Sequence, residues 1–205
     1  MSRFAPPQGK SLDEVIFFFI MIIGITGTDG AGKGLVVEYL VSQHGFTHYS
    51  ARDFIMAEIE RLGLTTTREQ TRLTANALRA EFGNEVVVRK AYERAAAEGK
   101  DRVVIESIRT FAEVEYLKLR DGVLLAVDAD VHIRFARISG RHSATDNVTL
   151  EQFQAQEALE MNDPDPHGMQ KAKVMTAADY TIMNNGSHGE LYIQVEAFMQ
   201  KFVGR

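Results

Sequence analysis

Ile22-Ile23-Gly24-Ile25-Thr26-Gly27-Thr28-Asp29-Gly30-Ala31-Gly32-Lys33-Gly34-Leu35 is the stretch on which the fold turns. It opens as a short β-rich run, and residues 27–33 satisfy G-x-x-x-x-G-K. An amphipathic stretch with Leu35, Val36, Tyr39 and Leu40 follows. Strand, glycine loop and helix in that order make a phosphate cradle. Glycines let the backbone wrap an anion with its N–H groups inward, the helix N-terminus adds partial positive charge, and Lys33 reaches the terminal phosphates. The candidate nucleotide-binding residues of this loop are Gly27, Asp29, Gly30, Ala31, Gly32, Lys33, Gly34 and Leu35. Where a Ser or Thr would place a hydroxyl on magnesium, the chain has Gly34, which argues against the GTPases and motor ATPases that need that ligand.

Outward from the loop, β-rich runs alternate with helical stretches. Strands are expected at residues 22–26, 47–50, 102–105, 123–127 and 180–183. Helices are expected at 33–43, 53–62, 68–82, 85–97, 111–119, 131–139, 150–161 and 189–202. Such alternation predicts an α/β fold, a parallel sheet covered by helices on both faces. Residues 51–98 form a helical excursion longer than a connection needs. Asn162-Asp163-Pro164-Asp165-Pro166 reads as a surface loop.

The chain has 205 residues, room for one domain at 21–205 with an appended arm at 1–20. A formal charge of −5 argues against a nucleic-acid footprint. The chain has no cysteine, which excludes disulfides, thiolate metal sites and thiol nucleophiles and fits a reducing, cytoplasmic setting. The apolar run from Val15 to Ile23 is too short to span a membrane, and no leader cleavage site follows it. Met21, directly before the first strand, allows translation to start there. The histidines are scattered without metal-ligand spacing, and no G-x-S-x-G elbow is present. Tyr49, Phe54, Phe82 and Phe111 could wall a base pocket, although aromatics at such spacings more often belong to a core.

Five segments resemble the nucleoside monophosphate kinases over roughly residues 21–202. G-x-x-G-x-G-K-G is a loop of that family. Ser50-Ala51-Arg52-Asp53-Phe54-Ile55-Met56 is similar to the segment opening its acceptor lobe, with Met56 where the family has an acceptor-binding Arg. Glu106-Ser107-Ile108-Arg109 follows the third strand as D-G-F-P-R does there, and Arg137-Ile138-Ser139-Gly140-Arg141 resembles the motif that opens the lid. Ala178 to Gly186 looks like the last strand and the loop that holds the donor base. Asn76 to Gly83 and the E-x-I-R spelling are also similar to dephospho-CoA-kinase-like and archaeal adenylate-kinase-related proteins, and Thr28-Asp29 to thymidylate kinases.

The resemblance implies a three-layer P-loop kinase fold with strand order 2-3-1-4-5, an acceptor-binding insertion at about 51–98 and a short lid at about 138–150. It implies ATP and Mg²⁺ as cofactors and a small phosphorylated acceptor as partner, with neither nucleic acid nor membrane involved and a monomer or homodimer as the assembly. Lys33, Arg109, Arg137 and Arg141 would be catalytic. Arg137 and Gly186 would join the loop in holding the donor, and Glu106 would hold the metal through water. Ser50, Arg52, Asp53, Arg72 and Arg109 would bind the acceptor, with Arg68 a further source of charge. Lys171 and Lys173 stand as substitutes for the family's second pair of lid arginines. Dephospho-CoA as acceptor, and a nucleotide-binding module or slow ATPase acting with a partner, are the alternatives.

Overall fold

A computed structural model describes residues 20–140 and 149–203. Most of the arm, Arg141 and the centre of the expected lid lie outside them. The strands are β1 (Met21–Gly27), β2 (Thr47–Ser50), β3 (Arg102–Glu106), β4 (Val123–Asp128) and β5 (Tyr180–Met183). All pair in parallel in the order β2-β3-β1-β4-β5, as expected. Parallel strands are buried on both faces and must be apolar almost throughout. Accordingly β1 is buried from Ile22 to Gly27.

Alternation along β1 assigns its side chains to two cores. Ile23 and Ile25 face α1 (Lys33–His44) and α9 (His188–Phe202), packing with Val36, Leu40, Val195 and Phe198. Ile22 faces the other layer, made by α4 (Val86–Ala97), α5 (Phe111–Lys118) and α8 (Lys171–Thr176), where Ala91, Leu117 and Val174 are fully buried. Each fully buried Ile or Leu is worth about 2 kcal/mol of hydrophobic free energy, so the sheet's two faces supply most of what holds the layers together. Gly24 lies on this second face, where a Cβ would stand 2.7 Å from Leu117 Cδ2.

The excursion after β2 is α2 (Ala51–Arg61), α3 (Arg68–Phe82) and α4. α2 begins two residues before the expected start because the Ser50 hydroxyl accepts from Arg52 N at 3.2 Å and caps it. α6 (Val131–Ser139) and α7 (Leu150–Met161) follow β4. The short α8 is absent from the sequence expectation. No described helix is long and apolar enough to cross a membrane.

Candidate active site

The phosphate loop lies at the C-terminal end of β1, where open α/β sheets bind ligands. Its backbone is built to a shape only glycine permits at three places. Gly27 (φ +135°) lies against β4, where a Cβ would stand 1.9 Å from the Val127 carbonyl oxygen, and Gly30 (φ +81°) presses on the Arg134 carbonyl. Gly32 (φ +95°) faces the Asn184 amide, which donates to Ala31 O at 2.7 Å. The loop is also pinned from below. The Thr28 hydroxyl donates to Asp128 Oδ1 at 2.6 Å, and buried Arg134 donates to Asp29 O at 3.3 Å while pairing with Glu157 on α7.

Lys33 Nζ donates to the carbonyls of Gly27 at 3.2 Å and Thr28 at 2.8 Å and lies 3.7 Å from Asp29 Oδ1. Burial pushes its ammonium down to about 8, with Arg109 and Lys171 acting the same way against the pull of Asp29 and Glu106. Arg109 reaches the loop because of the turn after β3. Ser107 adopts φ 72°, a conformation uncommon outside glycine, so that Ile108 N donates to Ile25 O at 3.0 Å. Thr26 Oγ1 donates to Ile108 O at 2.9 Å, and with both ends of Ile108 tied to β1 the next residue faces the loop. Arg109 Nη2 then lies 3.8 Å from Asp29 Oδ1 and Nη1 3.3 Å from Glu160 Oε2.

Lys171 at the start of α8 completes the cluster, with no exposed surface. Its Nζ is 2.9 Å from Glu160 Oε2 and 3.5 Å from Asp29 Oδ1. Of the two lysines entertained as lid substitutes, Lys171 therefore meets the loop, whereas Lys173 lies over the Phe111 ring. Glu157 and Glu160 are absent from the sequence expectation. Their three-residue spacing behind Phe153, on one helical face, was the available signal.

Glu106 ends β3 beside the loop. The His48 side chain, 3.4 Å away, holds its carboxyl below the usual range, helped by the Lys33 and Arg109 charges against the opposing effect of burial. Among the described residues no three His, Cys, Asp or Glu side chains gather into a metal cage. An ionised carboxylate beside a phosphate loop fits a hydrated Mg²⁺, which keeps several waters and takes few protein ligands.

Arg137 lies on the other flank, donating to Asn184 O at 3.0 Å and, at 3.5 Å, to Gly30 O. With Gly32, Gly34, Leu35, Glu38 and His188 it lines a cavity of about 340 Å³. Gly186 lies in the exposed loop from β5 to α9, between Asn184 and His188 of this cavity. The acceptor candidates are dispersed. Ser50 caps α2, and Arg52 and Asp53 are exposed on that helix. Arg72 Nη1 pairs with Asp163 Oδ2 at 3.2 Å, and the Arg68 side chain lies outside the described residues. Met56 packs on the core cluster of Ile55, Ile59 and Ala75. Among the four aromatics, Tyr49 is buried in the core, Phe54 packs against it, and Phe82 is 47% exposed.

Residues 23–162 match the AAA domain family. The UPF0200 protein of Methanocaldococcus jannaschii is 29% identical, the alignment covering 90% of this chain and 91% of that protein. The UPF0200 protein of Staphylothermus marinus is 31% identical, with 90% and 94% covered. Among solved structures, shikimate kinase from Bacteroides thetaiotaomicron superposes with a TM-score of 0.58 at 16% identity, covering 88% of this chain and 97% of that one. A gluconokinase from Sinorhizobium meliloti gives 0.53 at 12% identity, covering 91% and 95%. These two likenesses establish a P-loop kinase-like fold.

Proposed function

We propose, from the premise that this chain belongs to the AAA domain family and to the UPF0200 family, that it transfers the γ-phosphate of ATP to a small phosphorylated acceptor. A nucleoside or deoxynucleoside monophosphate is the acceptor class that fits best. The carrying observation is that Lys33, Arg109 and Lys171 stand 3.7, 3.8 and 3.5 Å from one oxygen of Asp29. Phosphoryl transfer leaves a protein little covalent chemistry to perform, so positioning and charge neutralisation carry the rate. Three cations from three segments, gathered at the mouth of the loop, supply both.

Lys33 holds the terminal donor phosphates, and Arg109 lies where donor and acceptor phosphates meet. Arg137 flanks the donor beside the cavity, with Gly186 in the loop next to it. Arg141 follows as the second arginine of the lid motif. Glu106 holds Mg²⁺ through water, and the metal, when bound, neutralises charge on the transferred group. Ser50, Arg52, Asp53 and Arg72 face the acceptor when the insertion closes over the site, which excludes water and suppresses hydrolysis. The shikimate kinase and gluconokinase neighbours support the phosphotransferase class.

The pairing of Arg72 with Asp163 favours a second reading, a slow ATPase acting with a partner, because it occupies an acceptor-side cation. The test is ADP release from Mg·ATP with ribo- and deoxynucleoside monophosphates and with dephospho-CoA. A rate rise of at least tenfold with a monophosphate is expected, and Lys33→Ala should abolish it. A rise confined to dephospho-CoA moves the acceptor class. A flat panel in protein that binds ATP leaves the ATPase reading in place of the kinase.

A further inference from the structure

We propose that Arg109 and Lys171 form an anion subsite that the chain fills with its own Asp29 carboxylate, and that a phosphoryl group of the bound nucleotide displaces Asp29 from it. This rests on the reading of the loop as a nucleotide site. Four side chains from four segments alternate in sign here: Asp29 from the phosphate loop, Arg109 from the turn after β3, Glu160 from the end of α7 and Lys171 from the start of α8. The two carboxylates are held unequally. Glu160 Oε2 takes Lys171 at 2.9 Å, the length of a charge-assisted hydrogen bond, and Arg109 at a longer 3.3 Å. Asp29 Oδ1 stands back from the same two cations at 3.5 and 3.8 Å, and from Lys33 at 3.7 Å. Glu160 is thus the closer carboxylate partner of the wholly buried lysine, and Asp29 the more distant one, whose place beside the two cations an anion would take.

The backbone of Asp29 is held by Arg134, so the subsite is vacated by the side chain turning away while the loop stays in place. A tetrahedral phosphoryl group offers more oxygens than a carboxylate and could engage all three cations at bonding distance. A lysine that only pinned α8 to α7 would need Glu160 and have no reason to meet the loop.

The experiment is calorimetric titration of Mg·ATP and ADP into wild type, Asp29→Asn, Lys171→Met, Lys171→Arg and the Asp29→Asn/Lys171→Met double variant, each checked by thermal melting. Asp29→Asn removes the competitor and should tighten Mg·ATP by about threefold or more. Lys171→Met should weaken it by about tenfold, Lys171→Arg should restore most of that loss, and the gain from Asp29→Asn should vanish in the double variant. A looser or unchanged Asp29→Asn, or a gain that persists without Lys171, overturns the proposal. Should Lys171→Met fail to fold, Glu160→Gln serves in its place. It leaves Asp29 as the remaining carboxylate of the cluster, so binding should weaken and then recover when Asp29→Asn is added; unchanged binding overturns the proposal. Wild type that binds no nucleotide sinks the functional reading itself. Binding that depends on Lys33 but ignores Asp29, Glu160 and Lys171 sinks this inference alone.

Discussion

At the scale of a residue, Lys33 shows how burial sets chemistry. Its ammonium titrates near 8, below the ordinary 10.5, because burial opposes the charge. The unfolded chain therefore binds this proton more tightly, and the Lys33 contribution to stability rises with pH between about 8 and 10.5. Nucleotide binding runs in the opposite sense. A bound polyphosphate favours the charged amine and raises its pKa, so ATP affinity is full below about 8 and falls by up to tenfold per pH unit above it. Titrations at pH 8.5 in two buffers of different ionisation enthalpy should report uptake of up to one proton per ATP, and Lys33→Ala should abolish that coupling. A pH-independent affinity from 7 to 9 would refute it. The lysine itself was legible from spacing alone. Its lowered pKa was not, because that comes first from burial and then from Arg109 and Lys171, all of which arrive only through the fold.

Single elements divide what sequence can and cannot reveal. The strands were readable because a parallel sheet demands apolar runs, and the glycine loop because its geometry excludes side chains. α8 was not readable. It has six residues, too few to display a helical period, and it follows a Pro/Asp-rich loop that conceals its start. The turn at Ser107 was equally hidden, since nothing about a serine announces a positive φ held by contacts to β1. Within the loop the glycines are unequal, and this is testable. A Cβ at Gly34 meets nothing within 4 Å, whereas at Gly30 it stands 2.6 Å from the Arg134 carbonyl oxygen at φ +81°. Gly34→Ala should keep nucleotide binding and stabilise α1 by about 0.5–1 kcal/mol, by restricting the unfolded chain and favouring the helix. Gly30→Ala should cost at least about 1–2 kcal/mol and impair binding, because a strained loop and a backbone clash coincide. Denaturant melts and ATP titrations on the pair would separate them, and equal behaviour would show that the loop is more plastic than its geometry implies.

Across the whole molecule, the loop at 162–170 is more than a connection. It ties the helical insertion to the phosphate site. Asp163 pairs with Arg72, Asp165 Oδ2 accepts from Asn76 Nδ2 at 2.9 Å, and the His167 carbonyl accepts from Arg79 at 3.3 Å. The His167 ring and the Pro166 carbonyl meet Asn84, whose own carbonyl accepts from Thr110 at 2.7 Å. Beneath these contacts Arg79 and Glu113, both buried, face each other as an ion pair with Nε and Oε1 3.9 Å apart. Glu113 also accepts from Arg109 N at 2.7 Å. The same loop leaves α7 just after Glu160 and enters α8 at Lys171, so α3 is connected through it to the cations at the loop mouth, and a disturbance of α3 is expected to reach them. Sequence flagged these prolines and aspartates only as a break, because their partners on α3 lie some 90 residues away. Asn76→Asp would set two carboxylates face to face. It should lower Tm, speed amide exchange in α3 and weaken ATP binding, although Asn76 lies on the insertion rather than in the phosphate loop. Adding Asp165→Asn reverses the pair, since the new amide can donate to the new carboxylate, and should recover all three quantities. Recovery of Tm without recovery of ATP affinity would leave the strap as a stabilising contact and refute the coupling.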